Sequence, residues 1–127
     1  MSIYLVNNSI VSEDTPHFTP NSRGYRYGDG FFESCTMWQG RILQLPLHVD
    51  RIKKSALLLK INVPNWWDEI SWETSVLKAC KDARFTSARI RLTIFRDSDG
   101  LYTPTDSNVC LVTEINEETG ISPYQWN

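Results

Sequence analysis

The residues that could carry chemistry gather in two short segments of the chain. Residues 21–34 read NSRGYRYGDGFFES, where arginines, tyrosines and an Asp-Gly pair precede a strand-like run. Two interpretations fit this segment: a tight turn that feeds a buried strand, or a turn that aims the strand's side chains into a cleft. Arg51 follows, one turn after His48 and next to Ile52. An arginine at the border of an apolar helix face is usually a solvated charge, but its planar guanidinium can also clamp an anion.

Size and composition limit the classes of protein to consider. The chain of 127 residues is about one domain long, and 41% hydrophobic residues suffice for a packed core. The 13 basic and 15 acidic residues are spread along the chain and form no basic stripe for nucleic acid. No apolar run approaches the roughly 20 residues that span a bilayer, and the N-terminus does not resemble a signal peptide. We therefore expect a cytoplasmic protein with no nucleic-acid or membrane partner.

The cysteines indicate a reducing compartment. Cys35, Cys80 and Cys110 are widely spaced and include no CxxC pair, so buried thiols are the simplest interpretation. A metal site would need cysteine or histidine partners at ligand spacing, and the histidines His17 and His48 do not supply them. We expect no metal site.

Turn signals near the N-terminus predict two hairpins. The pair Asn7-Asn8 separates two apolar runs, and both residues tolerate positive φ angles. The pair Gln39-Gly40 turns the strand-like run FFESCTMWQ back into RILQL. The polar segment between the two hairpins is expected to be a loop.

The middle of the chain changes to a helical period. Apolar residues recur every three or four positions from residue 45 to 59, and a second helix is expected to begin with Asn65 as its N-cap and Asp68 three residues later. Apolar and polar residues alternate in 87–97, which predicts a strand, and 107–115 is predicted to be another strand. The order predicts an α+β domain, with a mainly antiparallel sheet and two helices packed on it.

Taken together, the motifs resemble the small N-terminal domain of the class IV aminotransferases, which are fold-type IV enzymes that depend on pyridoxal phosphate (PLP). That family includes branched-chain and D-amino acid aminotransferases and aminodeoxychorismate lyase. Its pattern is an Asp-Arg-Gly-like loop, an aromatic-Gly-Asp-Gly-aromatic-Glu turn, an Asn/Gln-Gly turn and the motif H-x-x-R-L-x-x-S-A. In this sequence these motifs include Arg23, Tyr27, Gln39 and His48, in the same order. Ser22 stands in place of the usual aspartate, so no ion pair with Arg23 is assigned.

The resemblance implies that this chain is the N-terminal part of a longer enzyme. Residues 1–117 would be the small domain and 118–127 the start of an interdomain linker. A second domain, absent here, would carry the lysine that binds PLP covalently. None of the lysines in this sequence matches that context, so no catalytic residue is assigned and the chain alone is expected to be inactive. The family also implies a homodimer.

The resemblance assigns four residues to ligands. Arg51 matches the arginine that binds the phosphate of PLP. Phe32 lies where D-amino acid aminotransferases carry a pocket tyrosine, and the missing hydroxyl argues against a D-amino acid substrate. Arg96 could pair with a substrate carboxylate, with a plain surface arginine as the alternative. Tyr102 matches a tyrosine in the substrate loop of the lyases, with an exposed loop aromatic as the alternative.

Three functions stay open. The leading one is amino-group transfer between an amino acid, for example a branched-chain one, and a 2-oxo acid. The second is an aminodeoxychorismate lyase that produces p-aminobenzoate and pyruvate. The third is a non-catalytic α+β module that serves binding or assembly.

Overall fold

The computed structural model describes residues 2–11, 30–63, 67–96 and 109–119. In chain order these residues form β1 (Ser2–Val6), β2 (Ser9–Val11), β3 (Gly30–Trp38), β4 (Arg41–Ile42), α1 (Leu45–Leu59), α2 (Glu69–Asp82), β5 (Ser87–Arg96) and β6 (Val109–Glu117). The order of hairpins, helices and strands is the predicted one, and the predicted α+β class is confirmed.

The strands form one antiparallel sheet in the order β2-β1-β6-β5-β3-β4. The long strands β3, β5 and β6 make its centre, and β1 joins it by pairing with β6, where Ile3 lies opposite Ile115. The first and last strands described are therefore neighbours in space. At the other side of the sheet, the short strand β4 covers only one end of β3.

Both predicted hairpins are confirmed by their turn geometry. Asn7 and Asn8 have φ angles of 50° and 70°, and Gln39 and Gly40 have φ angles of 47° and 77°. Two positive φ angles in a row suit the right-handed twist of the strands that a two-residue turn connects. The strand after the second turn is shorter than RILQL, because β4 ends at Ile42.

Helix α1 is the predicted one, with Pro46 in its first turn, and it ends at Lys60, which takes a left-handed conformation. The predicted start of the second helix is wrong, because α2 begins at Glu69 with Asp68 as its N-cap. The Asp68 carboxylate accepts a hydrogen bond from the backbone N–H of Ser71 at 2.7 Å. That bond and the Ser71 hydroxyl lower the pKa of Asp68. Asn65 lies outside the described residues.

The core lies between the helices and one face of the sheet. Its side chains come from alternate positions of the strands and from the inner faces of both helices: Leu5, Cys35, Met37, Ile52, Ala56, Trp72, Val76, Ile90, Leu92, Ile94 and Ile115. Trp72 is 1% exposed, and its indole N–H donates to the Thr113 hydroxyl at 3.0 Å. The tryptophan therefore contributes a large apolar surface without leaving a buried polar group unpaired.

The three cysteines are buried thiols, as predicted. Burial, followed by the charge of Glu33, raises the pKa of Cys35 to about 12, and burial alone raises the pKa of Cys80 to about 11. Both therefore stay protonated at neutral pH. Neither helix in the described part of the chain is long and apolar enough to cross a membrane.

Candidate functional site

The first half of β3 is an open edge of the sheet. Among the described residues, the strand from Gly30 to Cys35 pairs on one side only, with β5, because β4 pairs with just Met37 and Trp38. Side chains alternate between the two faces of a strand, so Glu33 points to the helix-covered face and its neighbour Phe32 to the opposite one. Side chains from both faces can therefore meet a ligand along this edge.

At Gly30, the first residue of β3, the neighbouring strand β5 leaves no room for a side chain. A Cβ atom at this position would lie 2.5 Å from the carbonyl oxygen of Ile94 and 2.6 Å from the Cβ of Phe95. Both distances are far below van der Waals contact, so no larger residue fits without moving the backbone. The glycine that ends the GDG motif thus sets the spacing of the two strands beneath the open edge.

Three polar side chains meet on the helix-covered side of this edge. One oxygen of Glu33, Oε2, lies 2.5 Å from Nδ1 of His48. The same oxygen accepts from Arg51, at 3.0 Å from Nε and 2.7 Å from an Nη. Glu33 comes from β3, and the other two come from adjacent turns of α1. We call these three residues the Glu33 cluster.

The short contact between His48 and Glu33 fixes where a proton lies. A carboxylate oxygen and a ring nitrogen both carry lone pairs, so they approach to 2.5 Å only when a proton lies between them. Nδ1 of His48 therefore donates to Glu33 and does not accept from Arg51, whose Nη2 is 3.1 Å away. His48 is 7% exposed, so this hydrogen bond is shielded from water.

Arg51 is the accessible member of the Glu33 cluster. Its side chain is 62% exposed, whereas that of Glu33 is 14% exposed. A guanidinium has five N–H donors. Within the part of the chain that the structure describes, two of them face Glu33, which leaves three for a ligand. A planar, pre-oriented donor fork on the surface suits a phosphate or a carboxylate. The residues present therefore fit the phosphate end of PLP.

The opposite face of the open edge carries an aromatic and a second arginine. Phe32 is 55% exposed, and the guanidinium carbon of Arg91 lies 4.0 Å from the centre of its ring. Arg91 belongs to β5 and pairs with Ser34, so it lies on the same face of the sheet as Phe32. Because Arg91 alternates with Ile90 and Leu92, the sequence indicates that it points outward. The sequence does not show that it stacks on Phe32.

Arg96 lies away from the surface. It is 7% exposed, and its Nη2 donates to the carbonyl oxygens of Leu59 and Lys60 at 2.8 and 2.5 Å. These carbonyls are at the end of α1, where the helix itself provides no partners, and a cation is favoured there. The alternative of a plain surface arginine is wrong. A substrate contact by Arg96 stays a prediction, and Tyr102 lies outside the described residues.

The structure brings Arg51 and Phe32 to the two sides of one strand edge, and Arg96 to the end of α1. The sequence analysis did not assign a role to Glu33 or to the His48 side chain. A signal was present: Glu33 is the one acidic residue among the inward positions of β3, between Phe31 and Cys35. A carboxylate at such a position usually has a buried partner.

Comparison with known proteins identifies the family. Residues 30–123 match the model of the amino-transferase class IV family. The chain therefore belongs to that family, as the motifs predicted. A Methanocaldococcus jannaschii protein, whose name provisionally assigns it to the branched-chain-amino-acid aminotransferases, is 33% identical over 76% of this chain and 32% of its own length. The aminodeoxychorismate lyase of Vibrio harveyi is 30% identical over 79% of this chain and 35% of its own length.

Solved structures show the same fold. The T.th. branched-chain amino acid aminotransferase, complexed with N-(5'-phosphopyridoxyl)-L-glutamate, matches with a TM-score of 0.80 at 18% identity. The match covers 94% of this chain and 41% of that structure. The chain thus spans about a third of the length of the two curated relatives described above.

Proposed function

We propose that this chain is the small domain of a PLP-dependent enzyme that transfers amino groups between an amino acid and a 2-oxo acid. The observation that carries the proposal is Arg51, an exposed guanidinium held by Glu33, which in turn accepts from His48, in a chain of the class IV family. When bound, PLP supplies the electron sink for chemistry at the amino acid's Cα. Arg51 would hold the phosphate group of the cofactor.

The substrate meets the other side of the same edge. Phe32 provides an apolar wall, and Arg91 beside it offers a positive charge to a carboxylate. Arg96 and Tyr102 are the proposed substrate contacts in the segment after β5.

A second domain and a partner subunit complete the site in this proposal. Residues 1–117 are the small domain and residues 118–127 begin the linker. The second domain provides the lysine that binds PLP covalently. Exposed leucines on α1 support a partner subunit that covers this helix. Leu57 and Leu58 are 79% and 82% exposed. We infer a homodimer.

Aminodeoxychorismate lyase activity is the second candidate. One observation favours it: the relative from Vibrio harveyi, named as that lyase, matches 79% of this chain. Arg91 could hold one carboxylate of such a substrate. Amino-group transfer is preferred because most of the named relatives are aminotransferases. They include D-alanine and branched-chain-amino-acid aminotransferases. Phe32 has no hydroxyl for the D-amino acid branch.

The test of the proposal uses this chain joined to its second domain. Arg51→Ala should weaken PLP binding by about 1.5–3 kcal/mol, or roughly 10- to 150-fold, the scale of hydrogen bonds to a charged group. Equilibrium dialysis followed by the cofactor's absorbance measures the dissociation constant. Lys54→Ala is the matched control, because Lys54 is a cation on the same helix and is 72% exposed.

Equal affinity in the folded Arg51→Ala variant, or an equal loss in Lys54→Ala, would remove Arg51 from the site. Two reactions then distinguish the activities. Branched-chain amino acids with 2-oxoglutarate should yield glutamate. Formation of p-aminobenzoate from aminodeoxychorismate, without glutamate from the first reaction, would replace transfer by the lyase reaction.

A further inference from the structure

The charges of the Glu33 cluster conflict with a simple anion site. Glu33 carries one negative charge and Arg51 one positive charge, and their atoms lie 2.7 Å apart. With a neutral His48 the cluster has no net charge, so the repulsion between Glu33 and a dianion beside Arg51 offsets part of the attraction by Arg51. An arginine whose only task is to attract phosphate needs no carboxylate at this distance.

His48 can supply the missing charge. Its Nδ1 already donates to Glu33, which leaves Nε2 as the ring nitrogen that could take a second proton. The ring then becomes a cation next to the carboxylate, and the cluster gains a net positive charge. Histidine is the side chain that can make this change between about pH 5 and 8. The change needs no movement of Glu33 or Arg51.

We propose that His48 takes up a proton when Arg51 binds a phosphate-type dianion, and that Glu33 is the carboxylate that couples the two events. The inference rests on the proposed function, in which Arg51 is the phosphate anchor. It adds two positioning residues to that site: Glu33 orients the guanidinium, and His48 offsets the charge of Glu33 when the anion is present.

Other charged groups around the Glu33 cluster leave this assignment in place. Among the described residues, Cys35 shares the inward face of β3, and its pKa of about 12 keeps the thiol neutral. On α1, Asp50 and Lys54 pair with each other at 2.9 Å and are both exposed. On β5, the residue opposite Glu33 is the apolar Leu92.

Sulfate is the probe that tests the coupling, because it stays a dianion across this pH range and releases no proton of its own. NMR titration of the 127-residue protein at pH 6 and pH 8, at matched ionic strength, gives the sulfate affinity at each pH. We expect wild-type affinity to be at least about fivefold weaker at pH 8, because binding takes up a proton. A pH-stat titration should record the same proton uptake directly.

Three variants identify the groups. Arg51→Ala should lose sulfate binding at both pH values. Glu33→Gln removes the negative charge, so its affinity should change less than about twofold between the two pH values and should exceed wild type at pH 8. His48→Asn keeps a donor near Nδ1 but cannot take up a proton, and it should bind weakly without proton uptake. His17→Asn, at the other histidine of the sequence, is the control and should match wild type.

The outcomes separate this inference from the function on which it rests. If Arg51→Ala abolishes binding but wild-type affinity is the same at pH 6 and pH 8, the coupling is wrong and the anion site stands. Full pH dependence in Glu33→Gln also overturns the coupling, and this variant decides the question even if His48→Asn does not fold. Sulfate binding that survives in Arg51→Ala overturns the anion anchor itself.

Discussion

The two ends of strand β3 differ in what their side chains contact. Toward the end that pairs with β4, Cys35 and Met37 are 3% and 0% exposed and belong to the core, and Met37 itself pairs with β4. At the open end, Phe32 is 55% exposed and Glu33 joins a polar cluster with α1. The difference follows from the length of β4, which stops after two residues and, among the described residues, leaves the rest of the edge without a second strand partner. One strand can therefore stabilise the fold at one end and present ligand-binding groups at the other.

The largest effect of a single substitution in β3 should come from its core end. Met37→Ala removes a fully buried side chain and leaves a cavity, which should lower the free energy of unfolding by about 2–5 kcal/mol. Urea denaturation measures the change. Ser34→Ala is the control, because Ser34 is exposed on the same strand and should change stability by less than about 0.5 kcal/mol. Similar losses of stability in the two variants would contradict the view that the core end of β3 contributes most to stability.

Cys35 lies where the core meets the Glu33 cluster, and its thiol should make stability fall at high pH. Its pKa rises from 9.0 to about 12 on folding, so the folded state keeps a proton that the unfolded state releases. The stabilisation is therefore complete below pH 9 and is lost as the pH rises toward 12. Between pH 9 and pH 12 this thiol should lower the free energy of unfolding by at most about 4 kcal/mol.

Comparing wild type with Cys35→Ala isolates this contribution from the other groups that titrate in the same range. The difference in free energy of unfolding between the two proteins should shrink steadily from pH 9 to pH 11. A difference that stays constant would show that Cys35 is less well shielded than its burial indicates, and would weaken the distinction between the two ends of the strand.

The smallest effect on stability should come from the open end. Phe32→Ala removes an exposed ring and its contact with Arg91, which should cost about 0.5–1 kcal/mol. Thermal unfolding monitored by circular dichroism measures it, with Phe32→Leu as a variant that keeps apolar area but no ring face. A loss above about 2 kcal/mol would place Phe32 in the core instead of at a ligand surface.

Much of the fold can be predicted from local patterns. The turns at Asn7-Asn8 and Gln39-Gly40 need positive φ angles, and these residue types accept them. The start of α2 could not be decided in this way, because Asn65 and Asp68 are both good N-cap residues. In the structure, the hydrogen bond from the Ser71 N–H identifies Asp68 as the N-cap of α2.

The site is predicted less completely, because its contacts join residues distant in the sequence. Two signals pointed to Arg51 as an anion-binding residue: its position at the border of an apolar helix face, and its match to the family motif. Neither signal shows that Glu33, on another element, holds its guanidinium. The sequence analysis gave Arg96 either a substrate contact or a place on the surface, yet Arg96 continues the inward series of Ile90, Leu92 and Ile94. The alternation in β5 therefore predicts its burial, whereas its bonds to the end of α1 depend on the tertiary fold.

The pairing of β1 with β6 has a consequence for the order in which the protein folds. The hairpins and α1 are built from contacts close in sequence, so they can form early. By contrast, Tyr4 pairs with Glu114 and Val6 with Val112, across nearly the whole chain. During synthesis the N-terminal strand must wait until these last partners have been made, with its apolar side chains uncovered. Closing this pair should be the slow step of folding, and the interval before it is when the newly made chain is most exposed to aggregation.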